Sequence, residues 1–301
     1  MAARYSPLVD TGAGGEPRMP NILIFQGAPQ AAQARAVAAG GRSNTAIFSE
    51  ALSQQRDGLD FFTLNVADGE RFPQGMGIAD FDGVVISGSP LNVYRREPAV
   101  TGQIELAAEI FHAGIPCFGS CWGLQVMTAA LGGVVRLNPR GREFGIARTI
   151  ALTDAGRGHA LYAGKAQAFD ALCSHEDEVE TLPAGSTVLA GNAVSRVQAA
   201  EITDGEKCFW GVQYHPEFDL GLIAALLSLR AKPLADEGFF ADPADATAMV
   251  RDLRTLDQDA GRRDLAWKYG IGSDVLDPVP RRREFANWLE TKVVPYAASR
   301  T

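Results

Sequence analysis

Short apolar runs alternate with amphipathic stretches through the first half of the chain. The runs are rich in β-branched and aromatic residues and end at glycine, proline or serine, which is typical of buried parallel strands. They predict strands at 21–27, 61–66, 81–90 and 115–123. Helical periodicity predicts intervening helices around 47–52, 104–114 and 124–133. This alternation indicates an α/β fold, with a mostly parallel central sheet flanked by helices.

The pattern changes from about residue 134 onward. Short β-rich segments there are separated by Gly, Pro, Asn and Asp, and they either extend the same sheet or form an antiparallel one. An apolar helix is predicted over 220–229, and three more are predicted near 242–256, 261–270 and 280–294. Asp242 and Pro243 suit the start of the first of these three, because Asp caps helices and Pro favours their first turn.

These patterns divide the chain into three parts. Residues 1–19 are rich in Gly, Ala and Pro, and we predict a disordered leader there, unless Met19 is the true start. Residues 20–234 are predicted to form one α/β domain. Residues 235–301 are predicted to form a helical C-terminal extension docked on that domain, since about 65 residues rarely form a stable fold alone.

Composition narrows the classes of partner. The formal net charge is −8, and no run of about 18 apolar residues occurs, so neither a nucleic acid nor a membrane is expected as a partner. The leader lacks the apolar core of a signal peptide, which predicts a cytoplasmic protein. Four cysteines and four histidines show no zinc-ligand spacing, so no metal site is expected. The run Arg281–Arg283 is interpreted as a solvated helix face.

The most informative segment is Gly119-Ser120-Cys121-Trp122-Gly123. An apolar strand enters a turn of small residues, a nucleophilic side chain lies at its apex, and a helix leaves it, which is the pattern of a nucleophile elbow. A cysteine at a helix N-terminus is expected to gain thiolate character from the helix dipole. The alternative is a buried core cysteine at a strand end.

A second segment reads Tyr214-His215-Pro216-Glu217. A thiol nucleophile needs a base, and the base needs an orienting acid. If this segment is an extended strand, His215 and Glu217 share a face and can hydrogen-bond. The alternative is an ordinary strand-end histidine beside a solvated glutamate.

A third segment, Ser87-Gly88-Ser89-Pro90, follows the third predicted strand. Its backbone N–H groups are candidates for stabilising an oxyanion, together with the N–H of Trp122. A plain β-turn is the alternative.

Together, in this order, the three segments resemble the class I (triad) glutamine amidotransferases. The resemblance covers about residues 20–230 and includes REFG at 142–145 and SHEDEV at 174–179. It is greatest to stand-alone proteins similar to the amidotransferase domain of GMP synthase. It implies the flavodoxin-like fold of that family and a Cys-His-Glu triad of Cys121, His215 and Glu217.

The resemblance also implies how the substrate is held. It assigns the oxyanion surroundings to Gly88, Ser89 and Trp122. Gln125 and the Ser174–His175 backbone would lie near glutamine, although His175 could alternatively form a second acid/base pair with its acidic neighbours. Many family members have Gly-Gly-Pro where this chain has Gly88-Ser89-Pro90, so the oxyanion hole depends on the φ angle of Ser89. No metal or organic cofactor is implied.

Three functions remain open. The first is hydrolysis of glutamine to glutamate, with ammonia released for a separate acceptor enzyme, because residues 235–301 contain no phosphate-binding loop. The second is a stand-alone hydrolase of γ-glutamyl amides or peptides. The third is a catalytically silent regulatory protein on the same fold. A papain-like peptidase also has Cys before His, but the strand–elbow–helix setting disfavours it.

Overall fold

The structure of the protein, a computed structural model, describes residues 18–300. The predicted leader therefore lies outside the described residues, apart from Arg18 and Met19, and Arg18 forms an ion pair with Asp82. The described strands are β1 (Asn21–Phe25), β2 (Asp60–Leu64), β3 (Gly83–Ile86), β4 (Cys117–Ser120), β5 (Val134–Leu137), β6 (Glu143–Leu152), β7 (Ala168–His175), β8 (Asp177–Thr181), β9 (Ser186–Gly191), β10 (Ala199–Asp204) and β11 (Lys207–Val212).

Nine of these strands form one sheet, in the order β2-β1-β3-β4-β11-β10-β9-β6-β7. The five strands from β2 to β11 are mutually parallel, and the remaining four continue the sheet in antiparallel pairs. Strands β5 and β8 form a separate antiparallel ribbon. The predicted α/β fold with a mostly parallel central sheet is confirmed. The β-rich second half extends that same sheet.

The helices of the described range are α1 (Gln30–Ala38), α2 (Asn44–Ser53), α3 (Pro98–His112), α4 (Trp122–Ala130), α5 (Asp154–Arg157), α6 (Leu220–Asp236), α7 (Pro243–Gln258), α8 (Arg263–Lys268), α9 (Ser273–Leu276), α10 (Pro278–Arg281), α11 (Arg283–Trp288) and α12 (Val294–Ala298). A π-helical turn over Leu289–Val293 joins the last two. Across residues 18–300, no helix combines the length and apolar character needed to cross a bilayer.

Both faces of β1 are buried, since its successive residues point to opposite sides of the sheet and both sides are covered by helices. On β1, Leu23 and Phe25 pack on one face with residues of α3 and α4. Ile22 and Ile24 pack on the other face with residues of α2 and α11. Neither face of this strand is left for water, which explains why β1 is a continuous apolar run in the sequence.

The last helices of the chain pack directly against the sheet. Phe285, Trp288 and Val293 are buried in the same cluster as residues of β1 and β4. The interpretation of Arg281–Arg283 as a solvated face is wrong for its first two members, since Arg281 and Arg282 are buried. The Arg281 guanidinium donates to the carbonyl of Val275, and Arg282 donates to the side chain of Gln54 just after α2, so hydrogen bonds compensate their burial in part.

A buried polar cluster joins the extension to Tyr214, the residue that precedes His215 in the turn after β11. Glu284 on α11 is fully buried and accepts hydrogen bonds from Lys165 and from the hydroxyl of Tyr214. The Tyr214 hydroxyl also lies 2.9 Å from that of Tyr162. Burial lowers the pKa of Lys165, and the carboxylate of Glu284 opposes that effect. The cluster therefore contains an ion pair within an apolar core. Loss of either Lys165 or Glu284 would leave the other charged group without its partner.

The burial of Trp288 gives a test of this packing. We expect Trp288→Ala to lower the free energy of unfolding by about 3–5 kcal/mol, because it removes a large side chain that is 1% exposed. Urea denaturation followed by circular dichroism measures the change. Trp267 is 88% exposed, so Trp267→Ala is the matched control and should change the value by less than about 0.5 kcal/mol. Equal effects of the two substitutions would contradict docking of the extension.

Candidate active site

The three segments singled out in the sequence meet at one edge of the sheet. Strands β3, β4 and β11 are neighbours and run parallel. Each segment follows the carboxyl end of one of these strands, at Ser87–Pro90, at Cys121 and at His215–Glu217. The carboxyl edge of a parallel sheet is where α/β proteins place their ligands. Residues far apart in the chain are thus brought together by strand order alone.

Cys121 is the single residue between β4 and α4, and its backbone is strained. Its φ is 52° and its ψ is −98°, and among residues 18–300 only Arg96 and Thr149 share a positive φ without being glycine. A side chain in this region carries a steric cost that surrounding structure must offset. The predicted sharp turn is present, with the thiol at its apex.

The glycines on either side allow the turn to pack. A Cβ added at Gly119 would lie 2.6 Å from the backbone carbon of Gly123, and one added at Gly123 would lie 2.6 Å from the Ile86 carbonyl oxygen. Both distances are shorter than real Cβ contacts, and both partners are backbone atoms that cannot rotate away. β3, β4 and α4 can therefore approach closely enough to form the elbow only because these two positions have no side chain.

The Cys121 thiol is buried. Burial raises its pKa to about 12, the charge of Glu217 adds to this, and a hydrogen bond from the Trp122 backbone N–H lowers it in part. The expected thiolate character at the helix N-terminus is therefore outweighed by desolvation. Sγ donates a long hydrogen bond, 3.9 Å, to the carbonyl of Ser174.

His215 and Glu217 form a buried pair in a turn after β11. The expectation that they share the face of an extended strand is wrong, because β11 ends at Val212. The turn is instead closed by a hydrogen bond from the Phe218 N–H to the His215 carbonyl. Even so, Nδ1 of His215 lies 2.7 Å from Oε1 of Glu217, whose Oε2 accepts a hydrogen bond of 2.9 Å from Ser120. In the sequence, Pro216 argues against a helix at this position, but it is compatible with both a strand and a turn.

The imidazole is held by packing as well as by Glu217. The Phe218 ring stacks on it at a centroid distance of 3.7 Å and an angle of 7°. On the other side, a Cβ at Gly88 would lie 2.8 Å from Cε1 of His215, so glycine is required there for the ring to fit. With Nδ1 bonded to Glu217, Nε2 is the ring nitrogen that remains for chemistry.

The turn after β3 presents backbone donors. No residue of the described range accepts a hydrogen bond from the N–H groups of Gly88 or Ser89. Ser89 has no positive φ, so serine fits here without backbone strain. Its hydroxyl accepts from the Leu91 N–H at 3.2 Å, which stabilises the turn.

Two adjoining cavities meet at Cys121 and share a wall of Ser89, Pro90, Cys121, Ser174 and Arg230. The larger, about 320 Å³, is called here the apolar cavity, and its other lining residues are Ala28, Ala32, Gln33, Arg35, Ala36, Asn44, Gly88, His215, Phe218, Leu226 and Leu229. The smaller, about 250 Å³, is called the polar cavity, and its other lining residues are Leu91, Asn92, Gln125, Arg142, His175, Glu176, Asp177 and Pro233.

Charged groups of both signs line the polar cavity, and sequence reasoning missed most of them. Asp177 accepts hydrogen bonds from Asn92 at 2.9 Å and from Tyr94 at 3.1 Å, and burial raises its pKa. Arg230 donates to the Ser174 hydroxyl at 2.5 Å, but no carboxylate among residues 18–300 forms an ion pair with it. A lone arginine in the otherwise apolar run of α6 was the signal that could have identified it.

Gln125 and His175 line the polar cavity, and hydrogen bonds fix both side chains. Nε2 of Gln125 donates to the Asp177 carbonyl at 3.3 Å, so Gln125 holds the cavity wall. Both ring nitrogens of His175 are engaged, one with the Asp177 carbonyl and the other with Glu143 of the REFG segment, each at 3.0 Å. Its carboxylate partner is thus Glu143 rather than Glu176. In the described part of the chain, no cluster of metal-ligating side chains occurs.

The chain is similar in sequence to known proteins. The family model described as glutamine amidotransferase class-I matches residues 50–228. The chain is 33% identical over 222 residues to a gamma-glutamyl-L-1-hydroxyisopropylamide hydrolase of Pseudomonas sp, covering 72% of this chain and 74% of that protein. It is 37% identical over 135 residues to the GMP synthase of Lactococcus lactis subsp. cremoris, covering 45% of this chain but only 24% of that enzyme.

Solved structures share the fold at low sequence identity. A glutamine amidotransferase of Thermotoga maritima aligns with a TM-score of 0.62 at 16% identity, over 91% of this chain and 98% of that one. One of Methylobacillus flagellatus aligns with a TM-score of 0.64 at 19% identity, over 90% and 95%. Since the family model spans more than half of the sequence and the fold agrees, the chain belongs to the class I glutamine amidotransferase family.

Proposed function

We propose that this protein hydrolyses γ-glutamyl amides, with Cys121 as nucleophile, His215 as acid and base, and Glu217 as the group that orients His215. One observation carries the proposal. A strained elbow presents Cys121 to a cavity that is also lined by a histidine whose Nδ1 is bonded to a buried carboxylate. Nucleophile, base and orienting acid are the three parts that thiol-dependent acyl transfer requires.

The first half of the reaction forms a thioester. The neutral thiol turns from the Ser174 carbonyl toward Nε2 of His215, which takes its proton as Sγ attacks the γ-amide carbon. Hydrogen bonds of this kind tighten only when substrate is bound. The carbonyl electron pair moves onto oxygen, where the backbone N–H groups of Ser89 and Trp122 stabilise the charge. The C–N bond then breaks, and His215 gives its proton to the departing nitrogen.

The second half of the reaction releases glutamate. Water enters where the amine has left, and Nε2 of His215 takes its proton as the oxygen attacks the thioester carbon. The C–S bond breaks, and the proton returns to Sγ of Cys121. The net reaction adds one water across the amide bond. Glu217 keeps its hydrogen bond to Nδ1 and stabilises the imidazolium form of His215.

The polar cavity supports a γ-glutamyl group as the acyl part of the substrate. Arg230 is half-buried without a carboxylate partner in the described range, which suits the α-carboxylate of a bound glutamyl group. The carboxylate of Asp177 suits the α-ammonium group, whose positive charge would oppose the effect of burial on the pKa of Asp177. The Pseudomonas relative is by name a hydrolase of a γ-glutamyl amide.

A second candidate is glutamine hydrolysis that supplies ammonia to a separate acceptor enzyme. The observation that favours it is the 37% identity to GMP synthase over 135 residues. A supplier of ammonia must release ammonia, so this candidate requires glutamine to have a higher kcat/KM than every N-substituted γ-glutamyl amide. Glutamate release from a panel of such amides separates the two candidates. Inactivity on all of them would favour a regulatory protein.

Substitution of the triad residues tests the mechanism. On the scale known for triad hydrolases, we expect Cys121→Ala and His215→Ala to lower kcat by about 10⁶-fold and Glu217→Gln by about 10⁴-fold. Glutamate release gives kcat, and circular dichroism checks the fold. Cys208, on β11 away from both cavities, is the control, and Cys208→Ala should retain at least half of the activity. Retention of a tenth of the activity by Cys121→Ala would exclude it as the nucleophile.

Substitution of Arg230 tests the carboxylate site. We expect Arg230→Gln to lower kcat/KM for glutamine by roughly 10–100-fold, chiefly through KM, because a hydrogen bond to a charged group contributes about 1.5–3 kcal/mol. Steady-state kinetics measure the change. Arg157→Gln is the control, since this arginine lies on the exposed side of α5 and pairs with Asp154. An effect on kcat alone would contradict a role in binding the ground state.

Asparagine tests the length of the acyl pocket. It is one methylene shorter than glutamine, so its amide carbon cannot reach Cys121 while its α-groups remain paired. We expect its kcat/KM to be lower than that of glutamine by about 10²-fold or more, since a misplacement of about 1 Å has that effect on reacting groups. Ammonia release from each amino acid at equal concentration provides the measurement. Comparable rates would show that the γ-glutamyl pocket is assigned wrongly.

A further inference from the structure

We propose that the apolar cavity binds the leaving group, and that the preferred substrate is a γ-glutamyl amide whose nitrogen carries a small uncharged alkyl group. This inference rests on the proposed function and names its substrate class. The two cavities divide the substrate at Cys121: the charged glutamyl end lies in the polar cavity, and the amine lies in the apolar one.

The position of His215 decides which cavity receives the amine. His215 lines the apolar cavity and not the polar one, whereas Cys121 lines both. The departing nitrogen takes its proton from His215, so it must lie on the His215 side of the reacting carbon. Any substituent on that nitrogen therefore extends into the apolar cavity.

The size and walls of this cavity indicate what the substituent is. Ammonia needs about as much space as a water molecule, roughly 30 Å³, and the cavity measures about 320 Å³. Its walls include the side chains of Ala32 and Ala36 on α1 and of Leu226 and Leu229 on α6. Ammonia makes no use of these walls, whereas an alkyl group loses contact with water against them.

Charge at the cavity excludes a cationic amine. The described residues that line it include no aspartate or glutamate, but they include the guanidinium groups of Arg35 and Arg230. A leaving group with a second ammonium ion would meet like charges and find no partner. The cavity thus selects an alkylamine over a diamine.

Helix α1 leaves space in the cavity at Ala32 and Ala36, although its Gln33 and Arg35 also line the cavity. It has no buried residue, and Ala32 and Ala36, one turn apart, are the small side chains that it places along the cavity. Ala34, on the same helix, is exposed and does not line either cavity. A large side chain at Ala36 would occupy the space of the substituent, whereas the same side chain at Ala34 would extend into solvent.

The test measures kcat/KM for glutamine and for the γ-glutamyl amides of methylamine, ethylamine, isopropylamine, 1,4-diaminobutane and glycine. We expect kcat/KM to rise roughly fourfold with each added carbon from methylamine to isopropylamine. The diaminobutane derivative, which carries an ammonium group, should be at least tenfold poorer than isopropylamide. Ala36→Phe should lower the ratio of isopropylamide to methylamide at least fourfold, whereas the control Ala34→Phe should change it less than twofold.

Leu229→Ser, on the opposite wall of the apolar cavity, is a second variant in case Ala36→Phe fails to fold. It should lower the same ratio of isopropylamide to methylamide. No glutamate from any compound would overturn the proposed function and this inference with it. Only the assignment of the apolar cavity would be overturned if glutamine were hydrolysed but kcat/KM did not rise from methylamide to isopropylamide. The same holds if the diaminobutane or glycine derivative had the highest kcat/KM. A ratio that responds equally to Ala34→Phe and Ala36→Phe would also overturn it.

Discussion

At Cys121 the chain passes from strand to helix through one residue with a φ of 52°, and the arrangement of the site depends on this conformation. It is held by contacts between backbones, because Gly119 meets Gly123 and Gly123 meets Ile86 with no space for a Cβ. A relaxed backbone would turn the thiol away from both cavities. The strain is therefore offset by the packing of β3, β4 and α4, which are buried around the elbow.

The two cavities at this edge of the sheet have different lining residues and suit different chemical groups. On one side of Cys121, Arg142, Glu176, Asp177 and Arg230 surround a space suited to a zwitterion. On the other side, α1 and α6 contribute Ala32, Ala36, Leu226 and Leu229 to a mostly apolar wall that also includes Arg35. Charged groups are expensive to bury without partners, and alkyl groups gain from leaving water, so the two spaces favour opposite ends of one molecule. Recognition and catalysis are then linked by geometry, because only a correctly oriented amide has its nitrogen beside His215.

The parts of the structure that depend on local pattern were predictable. The strands β1, β3 and β4 are buried on both faces, so their apolar runs were visible, and the glycines around Cys121 marked the elbow. The turn at His215 was not predictable, because Pro216 is compatible with strand and turn alike. The hydrogen bond that anchors this turn, donated by the His215 N–H to the Leu172 carbonyl on β7, joins residues that are distant in sequence. Arg230 and Arg282 were missed for a related reason: whether a helical arginine is solvated depends on which helices pack beside it.

The cluster around Glu284 has a consequence for how such a chain changes during evolution. Lys165 lies before β7 and Tyr214 after β11, while the carboxylate that they share lies on α11, near the end of the chain. Exchange of Glu284 for an uncharged residue would leave an ammonium ion without its partner in the core, at a cost of about 3–5 kcal/mol. A lineage that loses this carboxylate is therefore expected to exchange Lys165 for an uncharged residue as well. The identities of these two positions should thus vary together.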